Sequence, residues 1–267
     1  MSVRNRNNVR ITGSGPATIV FSHGYGCDQS MWRFLAPSFA ERFRVVTFDL
    51  VGSGGSDQRV YDRRKYGTLH GYADDLLEIV DLCATGPVVF VGHSVSAMIG
   101  LLATIRAPER FAAQVMVGPS PSFINDDDGY VGGFNRDEMH GLLETMEANF
   151  LGWSMQVAPM IMGAPNKPEL SQELVRSFGR NDPSIARHFA RVTFLADHRA
   201  DLPKSTVPAL ILQCSDDLIV PREVGDYLLR HLPNSTLKIV GNVGHCPHMS
   251  APTPCSQSID AFLADVL

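Results

Sequence analysis

Three short stretches of the chain carry side chains able to do nucleophilic chemistry. The first is Gly92-His93-Ser94-Val95-Ser96, which follows an apolar run and leads straight into an apolar helical segment. A serine on a sharp strand-to-helix turn has its hydroxyl lifted clear of the sheet, and the helix N-terminus below it favours developing negative charge. Such a turn needs small residues on both sides of the nucleophile, because strand and helix backbones come close there. Gly92 and Ser96 meet that demand, with Ser96 standing where the G-x-S-x-G pattern has its second glycine. A helix N-cap is the other role that suits a serine here.

The second stretch is Cys214-Ser215-Asp216-Asp217 and the third is Gly241-Asn242-Val243-Gly244-His245. Each follows an apolar run, and so sits at the strand end where ligands gather in open α/β sheets. Serine, then an acid, then histidine is the chain order of the α/β-hydrolases. The chemistry would be acyl transfer. Ser94 is a weak nucleophile at its own pKa, so His245 must take its proton, while a carboxylate fixes the imidazole tautomer. Asp216 and Asp217 both satisfy the spacing. The oxyanion needs backbone donors: the N–H of Val95, just after the nucleophile, and one from the loop His23-Gly24-Tyr25-Gly26. A dehalogenase or epoxide hydrolase would carry an aspartate at position 94. Cofactor-free oxygen or peroxide chemistry on the same triad is the less favoured alternative.

These stretches must be held by something, and the flanking sequence says what. Ala17–Ser22, Arg44–Asp49, Pro87–Gly92, Ala113–Gly118, Pro208–Gln213 and Ser235–Val240 are near-continuous apolar runs bounded by turn formers, as strands buried on both faces require. Segments of helical period, such as Tyr72–Leu82 and Val95–Arg106, lie between them. Alternation of strand and helix predicts an α/β fold with a mostly parallel sheet covered on both faces. One connection, 119–207, far exceeds the dozen or so residues that a crossover needs. It predicts an inserted subdomain, leaving 1–118 and 208–267 as the core. Its expected helices are Arg136–Met146, Met146–Met162, Pro168–Phe178 and Pro183–Leu195, the last with Asp182 as N-cap and Pro183 at the first helical position. The insertion holds five of the ten methionines and six of the fourteen phenylalanines. Such side chains suit a surface that closes over an apolar ligand.

Composition sets the outer bounds. Forty-four per cent hydrophobic residues in a chain of 267 support one large core without staples. A net charge of −5 argues against nucleic acid or an anionic membrane surface as the main partner. The five cysteines, Cys27, Cys83, Cys214, Cys246 and Cys255, show neither C-x-x-C pairing nor zinc spacing. That predicts reduced thiols, no metal and no cofactor, in a cytoplasmic protein. The N-terminus carries no apolar signal segment, and no apolar stretch reaches the ~20 residues of a membrane span.

Taken together, His23–Gln29 (HGYGCDQ), Asp49–Gly54 (DLVGSG), Gly92–Gly100 (GHSVSAMIG), Asn149–Trp153 (NFLGW), Asp197–Leu202 (DHRADL) and Gly244–Met249 (GHCPHM) resemble the bacterial RsbQ stress-signalling hydrolases. They are also similar to the plant strigolactone and karrikin receptor hydrolases, from about residue 10 to the C-terminus. The resemblance implies an α/β-hydrolase fold with a four-helix lid over a deep apolar pocket, with Ser94 as nucleophile and His245 as base. It favours Asp217 over Asp216, because Asp217–Pro221 (DLIVP) matches the family's D-L-x-V-P. Tyr25 and Val95 would give the oxyanion N–H groups. The family usually has Phe at position 25, so a phenol is expected to project toward the pocket, whose expected lining is Tyr25, His93, Phe134, Trp153, Val157, Phe189 and Phe194. The implied activity is slow hydrolysis of a small hydrophobic ester or lactone. The resemblance also implies a protein signalling partner, of the phosphatase type in RsbQ-like systems and a ubiquitin-ligase component in the plant receptors.

Overall fold

In the computed structural model, which describes residues 2–267, seven strands form one sheet in the order β1-β3-β2-β4-β5-β6-β7. They are β1 Arg10–Thr12, β2 Ala17–Ser22, β3 Phe43–Phe48, β4 Val88–His93, β5 Phe111–Val117, β6 Ala209–Asp216 and β7 Ser235–Val243. All neighbours pair parallel except β1, which runs antiparallel along β3 with Ile11 opposite Val46. The six expected strands are present within three residues of their sequence bounds, β6 and β7 each running three residues further at the C-terminal end. β1 was not expected: its three residues, none of them buried, give no apolar run.

Every residue of β4 is buried, as is β2 after Ala17, which is why these strands read as unbroken apolar runs. β7 departs from that expectation. It is an edge strand of the sheet and most of its residues are partly or fully exposed, with Ile239 and Val243 facing outward.

The helices are α1 Val3–Arg6, α2 Leu69–Cys83, α3 Val95–Arg106, α4 Arg136–Ala148, α5 Phe150–Met162, α6 Pro168–Arg180, α7 Pro183–Phe194, α8 Arg222–His231, α9 Pro247–Ser250 and α10 Pro252–Val266. α3 is buried from Val95 to Thr104 and leans hard on the sheet. A Cβ on its Gly100 would stand 2.3 Å from the ring of Phe90 on β4. Gln114 of β5 ties the two layers, its amide donating to the carbonyl of Ala97 at 2.7 Å.

Helices α4 to α7 fall between β5 and β6, where the long connection predicts them. Asn135 opens α4 in a capping box with Glu138, and Asp182 caps α7 through the N–H groups of Ser184 and Ile185. The expected break at Met146 lies three residues later. Asn149 accepts from the N–H of Gly152 and starts α5 there. Pro159 stays inside α5.

Candidate active site

The turn between β4 and α3 puts Ser94 in a conformation that non-glycine residues rarely take, with φ 56° and ψ −121°. The tight approach demanded by such a turn is measurable at Gly92, where a Cβ would lie 2.5 Å from the carbonyl oxygen of Ser96. Ser94 heads α3 but makes no side-chain cap hydrogen bond. Its hydroxyl instead lies 2.9 Å from Nε2 of His245.

His245 is held by its main chain as much as by its ring. Its N–H donates to the carbonyl of Ile161 near the end of α5 at 2.7 Å, and its carbonyl accepts from Nε2–H of His93 at 2.8 Å. Gly244 makes this approach feasible: it has φ 102°, and a Cβ there would sit 2.1 Å from the carbonyl oxygen of Met162. The imidazole Nδ1 is 2.7 Å from Oδ2 of Asp217. With the carboxylate accepting from Nδ1–H, Nε2 carries the lone pair and accepts from the serine hydroxyl.

Of the two aspartates, Asp217 and not Asp216 meets the His245 ring. β6 ends at Asp216, whose side chain accepts from the Ser215 hydroxyl and is exposed. One residue later the chain turns, and the side chain of Asp217 is fully buried beside His245. Its Oδ1 accepts from the N–H groups of Ile219 and Val220 at 2.9 and 3.1 Å. Burial alone would raise this carboxyl, but His245 and the two N–H donors outweigh it and hold Asp217 below the usual carboxylate range.

Across from Ser94 lies the loop after β2. His23 shapes it as a neutral ring, with Nε2 accepting from the N–H of Leu50 at 3.0 Å and Nδ1–H donating to the carbonyl of Gly24 at 2.9 Å. Gly24 packs against Ser94 and His93 so closely that a Cβ would lie 2.5 Å from Nδ1 of His93. Ser96 secures the same loop, donating to the carbonyl of His23 at 2.5 Å and lying 2.8 Å from the hydroxyl of Ser22. The N–H groups of Tyr25 and Val95 are paired with no backbone acceptor in the turns and loops of the described residues.

Above Ser94 is a cavity of about 190 Å³ whose lining includes Tyr25, His93, Phe134, Trp153, Val157 and Phe194, as well as Ser94 and His245. Phe189 requires a correction. It is buried one layer behind the wall, its ring 5.7 Å from that of Tyr25 and 4.7 Å from that of Tyr72. Tyr25 also differs in part from expectation: its ring faces the cavity, while its hydroxyl turns away and donates to the carbonyl of Ala186 on α7 at 3.0 Å. Sequence reasoning missed Cys27, Leu142, Met160, Ile161, Leu218, Ile219 and Cys246 as lining residues. Leu218 and Ile219 could have been found, because they directly follow the acid. The thiols of Cys27 and Cys246 are buried, and burial pushes both well above the ordinary cysteine range.

Among the described residues, none of those that line the cavity is Asp, Glu, Lys or Arg. Among the described residues no group of His, Cys, Asp or Glu is arranged to hold a metal ion, and no helix is long and apolar enough to cross a membrane.

The family model described as the alpha/beta hydrolase family matches residues 19–257. The chain belongs to that family. This hydrolase is 38% identical over 258 residues to a strigolactone esterase of Pisum sativum, covering 96% of both chains. It is also 38% identical to a karrikin insensitive 2 receptor of Petunia hybrida, over 94% of this chain and 93% of the relative. Among solved structures, a hydrolase from Oleispira antarctica superposes with a TM-score of 0.94 at 40% identity, covering 98% of this chain and 96% of that one. The fold and the kinship with the plant receptor hydrolases expected from the sequence are thus borne out.

Proposed function

We propose that this hydrolase cleaves small, uncharged, hydrophobic esters or lactones through Ser94, His245 and Asp217. The observation that carries the reading is the unbroken relay from Asp217 through His245 to Ser94, at 2.7 and 2.9 Å, opening into a cavity without charged side chains.

Ser94 Oγ attacks the acyl carbonyl as its proton passes to Nε2 of His245, and the resulting imidazolium is stabilised by Asp217. The carbonyl oxygen becomes an oxyanion, to which the N–H groups of Tyr25 and Val95 donate. Collapse breaks the ester C–O bond, and the leaving alkoxide takes the proton from His245. For a lactone the alcohol stays attached to the acyl group. Water, deprotonated by His245, then attacks the acyl-enzyme and frees Ser94. Helices α4 to α7 and their connections, 119–207, serve as a lid on the core formed by 1–118 and 208–267. The lid supplies Trp153, Val157 and Phe194 to the ligand.

A second reading, ligand reception coupled to a protein partner, is favoured by the relative in Petunia hybrida that is named a receptor. Turnover separates the two. A metabolic enzyme should approach the ~10 s⁻¹ median, whereas a receptor can run orders of magnitude more slowly.

Incubation with a serine-directed phosphonate followed by intact-mass measurement tests the chemistry. The wild-type chain should gain one phosphonyl group and cleave p-nitrophenyl esters. Ser94→Ala should do neither while keeping its fold, and labelling that persists in that variant would reject the assignment.

A further inference from the structure

Tyr25 makes contacts that a loop residue supplying only its N–H would not need. Its ring packs 5.7 Å from Phe178 of α6 and 5.5 Å from Phe194 of α7. Its hydroxyl reaches over the cavity wall to the main-chain carbonyl of Ala186, inside α7, with Sδ of Met146 3.4 Å away. The polar partners lie 121 and 161 residues from Tyr25 in sequence, and with the ring contacts this one side chain stitches the loop after β2 to helices α4, α6 and α7 of the insertion. A carbonyl has two lone pairs, so Ala186 can accept this bond without losing its helical one.

We propose that the bond from the Tyr25 hydroxyl to Ala186 ties the oxyanion loop to α7 and so fixes the aim of the Tyr25 N–H at the developing oxyanion. Tyr25 is then a positioning residue through its side chain, in addition to donating through its backbone. The inference rests on the acyl-transfer reading above. Oxyanion donors act only when held 2.7–3.1 Å from the place the charge will occupy, so a loop loosened by a few tenths of an ångström loses part of its effect. Loss of aim acts on the transition state more than on the bound ester, and so on kcat more than on KM.

The test compares Tyr25→Phe with Tyr61→Phe. The Tyr61 hydroxyl also reaches α7, lying 2.8 Å from Nδ1 of His188, but Tyr61 lies outside the oxyanion loop. Hydrolysis of p-nitrophenyl butyrate and amide hydrogen exchange of α7 and of residues 23–27 are measured for wild type and both variants. Tyr25→Phe should lower kcat about tenfold, a fraction of the ~10²–10³ that deleting a donor costs, with KM changed less than twofold and exchange in residues 23–27 faster. Tyr61→Phe should leave kcat within twofold. Unchanged kcat and unchanged exchange at 23–27 in Tyr25→Phe would overturn the proposal, as would an equal fall of kcat in both variants. If the wild type fails to cleave the ester, the acyl-transfer reading fails first. Exchange at residues 23–27 then still decides whether the bond holds the loop.

Discussion

Nε2–H of His93 donates to the main-chain carbonyl of His245 at 2.8 Å, so the residue next to Ser94 in sequence braces the loop that carries the imidazole. That bond fixes the His93 tautomer and leaves Nδ1 buried against Gly24. Burial, with the neighbouring His245 adding to it, pulls His93 down to about 3. His248, whose ring lies 4.5 Å from that of His93, is likewise buried and held well below the ordinary histidine range.

The sign of the pH effect follows. In the unfolded chain both rings take a proton below about pH 6.5, whereas the folded chain keeps them neutral. Stability is therefore fully present above that pH and falls as pH drops toward the folded values, by about 1.4 kcal/mol per unit for each ring once well below 6.5. Thermal unfolding between pH 7.5 and 5 should show this decline, and His248→Phe should roughly halve its slope. A variant with the wild-type slope would assign the acid sensitivity elsewhere.

Asp217→Asn should lower kcat by about three to four orders of magnitude, since an amide cannot hold the imidazole in the productive tautomer or stabilise its cation. Asp216→Asn, altering an exposed side chain, should stay within about threefold. Because the folded carboxyl of Asp217 lies below its usual range, its ionisation stabilises the fold above about pH 4 and that contribution is lost as pH falls further. Steady-state kinetics on a p-nitrophenyl ester separates the two aspartates, and a larger loss in Asp216→Asn would reverse their roles.

The central strands were legible because burial on both faces leaves an unbroken apolar run, and the order of serine, acid and histidine was legible because each ends such a run. β1 was not, being a three-residue strand without a buried face, and β7 was misjudged because an outer strand can carry Leu237, Ile239 and Val243 with little burial. Asp216 and Asp217 are indistinguishable by spacing; only the bend after β6 decides which faces His245. Phe189 and Phe194 look alike in sequence. Five residues apart on a helix, they point about 140° from one another, so one wall cannot hold both. The Tyr25 bond to α7 lay beyond reach because no local pattern announces a partner 161 residues away.

Ser96 explains how the elbow works without its second glycine. Its hydroxyl donates to the His23 carbonyl and meets Ser22, so a buried polar link replaces the space that glycine would leave. Ser96→Gly should restore the G-x-S-x-G pattern and yet lower stability by about 1–3 kcal/mol, because a buried carbonyl loses its donor. It should also lower kcat several-fold, since the loop holding Tyr25 begins at His23. Denaturant unfolding and ester kinetics check both, and an undiminished midpoint would show the link to be dispensable.

Phe194 and Phe189 should separate cleanly on truncation. Phe194 lines the cavity and is only partly buried, so Phe194→Ala should enlarge the space beside the acyl group, raising KM for short esters about three- to tenfold and favouring bulkier ones. Phe189 is 3% exposed and packs between Tyr25 and Tyr72. Phe189→Ala should therefore cost about 3–5 kcal/mol of stability through the hole it leaves, with KM moved less than in Phe194→Ala. Unfolding midpoints set beside KM for p-nitrophenyl acetate and octanoate read both effects. If Phe189→Ala shifts chain-length preference more than Phe194→Ala, then Phe189 is part of the ligand wall and does not form a second layer behind it.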